Sequence, residues 1–554
     1  MKTSEINKTL PQHYRSRTWY NKICMLCKCG VGHLYKLTGK EPPFPCTPNL
    51  AADKWIHWLC KQPLPPVNGS IAILAVRNQT WMDWALYAAC WMRRLGLAPI
   101  VLFSGNDAQK VYGGCRSPSM KQRFLTYKFW DHVYKIPDVI TVDIDKLPEA
   151  ALTDTDQFSL QLSTLAHTNA AYELYVEEYE QGEFKEKYDQ LAGDIHASMI
   201  RETCQAYRLL CELKKLHGFN RIIGASGIIG RSACYECAAQ AAGLSRTWVE
   251  GWSIRPGLMR WNFDKPALDF DTHNWVENLS WDSSERNEAK QMLSFQETGN
   301  ANAKADKKSE CQLNYQIVSS DIDLPDSLAT FVSKDSRPIF LLASNVVGDS
   351  ATFQRQTIFK SQREWIRSVV EYFKIHQDIK LIVRAHPSER VYALHDTLRV
   401  NLGAVATEAA KGIENIHVVQ WHDKVNTYSL LPHIRAGLNW VSNLGADLVA
   451  RGIPVVSAAR PVYDKLAITE MPASVNEYFR LIEMLSKSSQ IVAEDKRETA
   501  VKYLYVIYKK IGMLGTGPRG SATDLMLDHL ETSEYGAFYK IIAGLRSASV
   551  MTLN

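Results

Sequence analysis

Apolar and polar positions alternate along this chain in two recurring patterns. Ser70 to Val76 is a continuous apolar run of strand length, and Trp81 to Leu95 carries apolar positions at helical spacing. Leu97 to Phe103 predicts a second strand, stopped by Ser104 and Gly105. A strand, a helix and a strand in this order require a right-handed crossover and a parallel sheet. A mostly helical stretch runs from about Asp156 to His217. The strand pattern then returns at Asn220 to Ile223, with a small-residue turn from Gly224 to Gly230 and a helix through Ala242.

From about His273 to Gln316 the sequence turns polar and reads as a linker or exposed loop. Beyond it the pattern predicts strands at Pro338 to Ala343, Lys380 to Arg384, Ile416 to Gln420, Gly437 to Val441 and Pro454 to Ser457. A helix from Gln362 to His376 sets Trp365, Val369 and Phe373 on one stripe. Helical segments are expected at Asp495 to Ile511 and around Tyr535 to Leu545. The predicted architecture is α/β, with two doubly wound Rossmann-like domains. The expected division is an N-terminal extension over 1–66, a first domain over 67–272, a linker region over 273–330, a second domain over 331–490 and C-terminal helices over 491–554.

The 554 residues include 46% hydrophobic and 22% charged positions, the balance of a folded protein with room for large cores. A net charge of +5 is too small at this length to argue for nucleic acid. No apolar run approaches the roughly 20 residues of a membrane span, and the N-terminus lacks the apolar core of a secretory signal. A cytoplasmic protein with reduced thiols is expected. Cys24, Cys27, Cys29 and Cys46 cluster near the N-terminus, but their spacing matches no standard zinc finger, and no metal is expected. Arg15, Arg17, Lys22, Trp19 and Tyr20 lie in the same stretch, which suits either packing on the body or peripheral contact with the cytoplasmic membrane face.

In open α/β sheets ligands bind beyond the carboxyl ends of the strands. Four polar segments come directly after strands of the second half: Ser344-Asn345, Arg384 to Glu389, Gln420 to Asp423, and Ser442 to Asp447. Arg384 and His386 are two residues apart and share a face on an extended strand end. A guanidinium with an imidazole suits a phosphate ester. Ser442, Asn443 and Gly445 open a predicted helix, whose first N–H groups also suit phosphate. Asp447, one turn in, is placed to accept ribose hydroxyls or simply to complement the helix dipole.

The run from Trp440 to Val456 resembles the donor-binding segment of GT-B glycosyltransferases, a small-residue turn and an acidic residue with Gly-x-Pro-Val-Val after them. Arg384 to Pro387 resembles the His-Pro motif of bacterial capsule polysaccharide biosynthesis proteins and of GT-B sialyl- and Kdo-transferases. Ser344 to Asp349 resembles a capsule-protein segment, with Gly348 where a Trp is usual. The resemblance implies two domains facing a cleft, with the donor nucleotide on the second and the acceptor on the first. By position His386 and Arg384 would bind donor phosphate, Ser344, Asn345, Ser442, Asn443 and Gly445 would complete the donor site, and Asp447 would bind ribose. The donor is a co-substrate, and neither cofactor nor metal is implied.

The first half must supply a base for the acceptor hydroxyl. Asp83, just after the first strand, is the preferred candidate, and Glu250, in a segment resembling one in the capsule proteins, is the second. Ser226 and Arg231, after the Gly224 turn, are expected on the acceptor side, and Trp248 and Trp252 suit either sugar stacking or packing. Four Asp-x-Asp triplets in unrelated contexts argue for chance. Neither a Walker loop, a GxGxxG fingerprint nor a GxSxG or HExxH signature occurs. The expectation is a glycosyltransferase acting on a bacterial surface polysaccharide or lipid-linked glycan precursor. Its rivals are a teichoic-type polyol-phosphate transferase and a non-catalytic assembly factor.

Overall fold

In a computed structural model, the structure describes residues 50–61, 63–76, 79–104, 120–147, 159–174, 176–179, 181–182, 185–251, 258–266, 269, 272–298, 324–387, 389, 400–423, 425–487, 492–510, 513–514, 540 and 543–544. The cysteines at 24, 27, 29 and 46, Trp252, and the expected helix around 535–545 apart from 540 and 543–544 lie outside them.

The first sheet holds β1 (Gly69–Ala75), β2 (Leu97–Phe103), β3 (Ile140–Asp143), β4 (Arg221–Ala225), β5 (Ser245–Gly251), β6 (Leu258–Phe263) and, from the end of the chain, β12 (Met513–Leu514). Its order is β12-β6-β5-β4-β1-β2-β3, in which β1 to β5 run parallel, β6 is antiparallel to β5, and β12 is antiparallel to β6. The second sheet is built from β7 (Ile339–Ala343), β8 (Lys380–Arg384), β9 (Ile416–Val419), β10 (Ile434–Asn439) and β11 (Val455–Ser457), all parallel, in the order β11-β10-β7-β8-β9. In each sheet the first strand is central and the chain winds outward to both sides, so the order reverses between β1 and β4 and between β7 and β10. These are two doubly wound sheets, as the alternation of runs predicted.

Both faces of the second sheet are covered, which explains its unbroken apolar strands. Phe340, Leu342, Leu381 and Val383 pack under the Gln362–Ile375 helix, where Trp365, Val369 and Phe373 are all 0% exposed. That helix starts at Ser361, whose side chain caps the amide of Glu364.

Three expectations need correction. The polar stretch after His273 is not all linker: it carries the helices Thr272–Glu277 and Ser283–Thr298. Its sparse apolar residues Trp275, Val276, Ala289 and Met292 are buried, and Asp282 caps the second helix by accepting from the amides of Ser284 (2.8 Å) and Glu285 (3.0 Å). The strand expected over 437–441 starts earlier, pairing from Ile434 with Ile339, and ends earlier, as Val441 donates its N–H to the side chain of Asn345 and leaves the ladder. The strand expected to reach Gln420 stops at Val419, as Gln420 N–H turns to Asp423 Oδ2 at 2.7 Å.

The end of the chain joins both halves. The Glu494–Tyr505 helix packs on the Leu444–Ala450 helix, and Tyr503 lies 5.1 Å from the Tyr463 ring. A π-helical turn, Val506–Lys510, comes next, and β12 then pairs with β6 of the first sheet.

Candidate functional site

Register makes the second crevice. Val419, Arg384, Ala343, Asn439 and Ser457 form one continuous row across the five strands, so all five carboxyl ends stop level. The segments leaving those ends share one rim. At the reversal between β7 and β10, Asn345 Oδ1 accepts from Val441 N–H at 3.2 Å, and the Asn345 N–H donates to Gln362 Oε1 at 2.8 Å. Ser344 donates to the Arg384 carbonyl from both N–H (3.3 Å) and Oγ (3.4 Å). On the far side of the reversal the Ser442 carbonyl accepts from Asn439 Nδ2 (3.1 Å) and Tyr463 Oη (2.8 Å), and Asn443 Oδ1 accepts from Tyr503 Oη (2.7 Å). Gly445 is required here: a Cβ would stand 2.7 Å from Asn439 Nδ2 and collide with Tyr463 Oη.

His386 is half-buried on this rim, two residues past the end of β8. Burial and the neighbouring Arg384 guanidinium push its imidazole down to about 4, so it is neutral at pH 7 and keeps a single N–H donor. Arg384 itself is buried, with Nη1 donating to the Gln420 carbonyl (2.6 Å) and Nη2 to that of Val425 (3.4 Å). It pins the loop after β9 against the end of β8. Glu389 is 0% exposed, and burial lifts its carboxyl to about 7 although Leu402 N–H donates to Oε1.

Asp447 is enclosed. Burial raises its carboxyl to about 6 against the pull of Arg451, whose Nη1 lies 3.3 Å from Oδ1, while Tyr428 Oη donates to Oδ2 at 3.5 Å. The Arg451 guanidinium also lies 5.0 Å from the centre of the Tyr428 ring. Its environment is therefore an internal ion pair beneath the rim.

The first sheet places Asp83, half-buried, in the helix Gln79–Arg94 that leaves β1. Glu250, also half-buried, sits one residue before the end of β5, opposite Arg260 in the ladder. Ser226 comes directly after β4 with φ +62°, its N–H donating to the Val249 carbonyl at 2.8 Å. Asp83, Ser226 and Glu250 thus lie toward the same end of three neighbouring strands, β1, β4 and β5.

On this side one expectation does not hold, and for Trp248 packing is the alternative found. Arg231 does not open onto the cleft: it is 8% exposed and its Nε lies 2.7 Å from Glu202 Oε1, so it fixes the long Lys185–His217 helix against the head of the Arg231–Ala241 helix. Trp248 is no sugar platform. It is 0% exposed beneath the Gly224 turn, where a Cβ on Gly227 would come within 2.9 Å of its ring, and its Nε1 donates to Glu236.

Sequence reasoning missed Glu177 and Glu178, in the connection between the helices Ser159–Leu174 and Lys185–His217. Both are buried against the second domain. Glu177 accepts from the amides of Gln362 (2.6 Å) and Arg363 (3.3 Å), and its Oε2 lies 3.6 Å from Arg363 Nε. Glu178 accepts from Thr168 Oγ1 (2.7 Å), Gln354 N–H (2.8 Å) and Gln356 Nε2 (3.1 Å). A cavity of ≈ 10 Å³, room for about one water, lies among Glu177, Glu178, Gly348, Phe353, Gln362 and Trp440. Among the described residues no group of three or more His, Cys, Asp or Glu is arranged to hold a metal, and no helix is long and apolar enough to cross a membrane.

Residues 289–479 match the family model described as capsule polysaccharide biosynthesis protein, which includes every donor-side residue named above. No curated protein matches the chain. Among solved structures it is similar to the KpsC beta Kdo 2,7 transferase of Thermosulfurimonas dismutans, with 12% identity over 59% of this chain and 90% of that one, at a TM-score of 0.33. It is also similar to the UDP-GlcNAc 2-epimerase of Neisseria meningitidis bound to UDP-GlcNAc, with 10% identity, 83% and 99% covered and a TM-score of 0.24. The glycosyltransferase VinC in complex with dTDP shares 12% identity over 86% and 100%, at 0.24. The fold is two doubly wound Rossmann-like sheets, and over residues 289–479 the chain is similar to the capsule polysaccharide biosynthesis proteins.

Proposed function

We propose that the chain is a glycosyltransferase that moves a sugar from a nucleotide-sugar donor to a growing surface polysaccharide or its lipid-linked precursor. The observation that carries this reading is the single rim on which Ser344, Asn345, His386, Ser442 and Asn443 meet, all inside the segment matched by the capsule family. A neutral imidazole on that rim is a donor to the departing nucleotide phosphate, where charge develops as the glycosidic bond breaks. Arg384, expected on donor phosphate, and Asp447, expected on ribose, are both buried against internal partners, so each takes an indirect role. Arg384 acts through His386, by holding the strand end and keeping the ring unprotonated, and Asp447 acts through Tyr428 and Arg451. The acceptor hydroxyl attacks the anomeric carbon and gives its proton to Asp83 or Glu250, while Ser226 orients the acceptor. Peripheral contact with the cytoplasmic membrane face belongs to the same proposal.

The test is thermal stabilisation of the purified chain by CMP, CDP, UDP, GDP and ADP, with His386→Ala alongside. One nucleotide raising the wild-type midpoint, and not that of the variant, supports the donor site and names the donor class. No response to any of them sinks the transferase reading.

A further inference from the structure

A second, larger hollow lies on the helices of the first domain. It encloses ≈ 630 Å³, within the roughly 300–1,000 Å³ usual for ligand sites. Tyr179 stands at its edge, 60% exposed although the residues before it in the chain are buried. The exposed His167 and the buried Tyr188 form an aromatic pair in its lining, with ring centres 5.6 Å apart. Tyr188 Oη is held by the carbonyls of His167 (3.1 Å) and Glu178 (3.3 Å), so this wall is fixed. Ser163 and Thr164 add hydroxyls. Gln181 binds backbone carbonyls of Glu177 and Glu178 through Nε2, which leaves its carboxamide oxygen as an acceptor.

The charges of the lining are matched. Lys185 pairs with Asp189 at 2.7 Å, and Glu178 is satisfied by three donors from elsewhere. A phosphorylated ligand would find no uncommitted cation among the described lining residues. A polyhydroxylated neutral ring suits the lining better: its C–H face stacks on an aromatic ring and its hydroxyls meet hydroxyl and amide groups. Glu178 lines this hollow and also the small cavity at the end of β7.

We infer that this hollow is a glycan-binding groove for the acceptor, taking neutral sugar residues behind the end being extended, with Tyr179 as its stacking platform. The inference rests on the transferase reading for the word acceptor, but the binding it asserts is measurable without transfer.

The experiment uses the full chain and oligosaccharides released by mild acid from the surface polysaccharide of the source organism. Binding is followed by ligand-observed NMR without nucleotide, for wild type, Tyr179→Ala and Tyr179→Phe. The expected result is at least a tenfold loss of affinity in Tyr179→Ala and retention in Tyr179→Phe. No binding by wild type, or equal binding by Tyr179→Ala, overturns the groove. Nucleotide stabilisation without oligosaccharide binding sinks the groove alone. Oligosaccharide binding that depends on Tyr179, with no response to any nucleotide, upholds the groove and sinks the transferase reading.

Discussion

The carboxylate of Glu177, from the first domain, accepts the N–H of Gln362 at 2.6 Å and so caps a helix of the second domain. An acidic group at a helix N-terminus satisfies orphan amides and complements the dipole. Here that common local device also holds two domains together. Glu177→Ala should lower unfolding stability by about 1–3 kcal/mol, the usual effect of leaving buried polar partners unmatched. Urea denaturation checks this, and an unchanged midpoint would mean that the contact is dispensable.

His386→Ala should abolish most transfer while leaving the thermal midpoint of the unliganded chain nearly unchanged. Because its pKa lies near 4, its protonation contributes no change in rate between pH 6 and 8. The depressed value also fixes the stability term. The neutral ring contributes stability above about pH 6.5, which is lost as pH falls toward 4. A stability advantage of wild type over the variant that grew as pH fell from 7 toward 4 would contradict this environment.

Glu389 has the opposite sign. Its folded pKa is raised to about 7 from 4.5, so its stability contribution is full below about pH 4.5 and is lost as pH rises through 7. Oε2 is buried without a partner, which leaves the ionised form poorly compensated. Glu389→Gln should therefore raise the melting midpoint at pH 8 relative to wild type, with little change at pH 5. Melts at the two pH values decide it.

Gly445→Ala should destabilise the second domain and remove nucleotide stabilisation, since the new methyl collides with Tyr463 Oη and crowds Asn439. Overpacking of this kind costs roughly 1–3 kcal/mol. Relief by Tyr463→Phe in the double variant would confirm the clash as the cause.

Trp248→Phe distinguishes packing from sugar recognition. Loss of the indole N–H leaves Glu236 short of a donor, so stability should fall by about 1–3 kcal/mol while acceptor KM stays within twofold. A large KM effect at unchanged stability would return Trp248 to the sugar site.

The second domain is the more legible in sequence because β7, β8 and β11 are buried throughout and read as largely apolar runs. The pattern predicts β8 to the residue, and β10 is displaced only because Asn345 captures the Val441 amide, a long-range contact that no local pattern reveals. β5 is hidden because Ser245–Gly251 mixes charged and aromatic residues without alternation, whereas β6 does alternate from Met259 to Phe263 but over only a short run. The rim residues stand out as polar segments placed directly after apolar strands. Glu177 and Glu178 do not, since an acidic pair between helices looks like any solvated connection until a second domain covers it.

The Lys185–His217 helix has 33 residues and is therefore about 50 Å long. Its first turns wall the Tyr179 hollow, Glu202 near its middle grips Arg231, and the His217 carbonyl at its end accepts from Ser70 Oγ at the start of β1. It works as a measuring rod. The hollow and the first sheet are set apart by a count of residues along one rigid element, so domain opening would break the Glu177 and Glu178 contacts without altering that spacing.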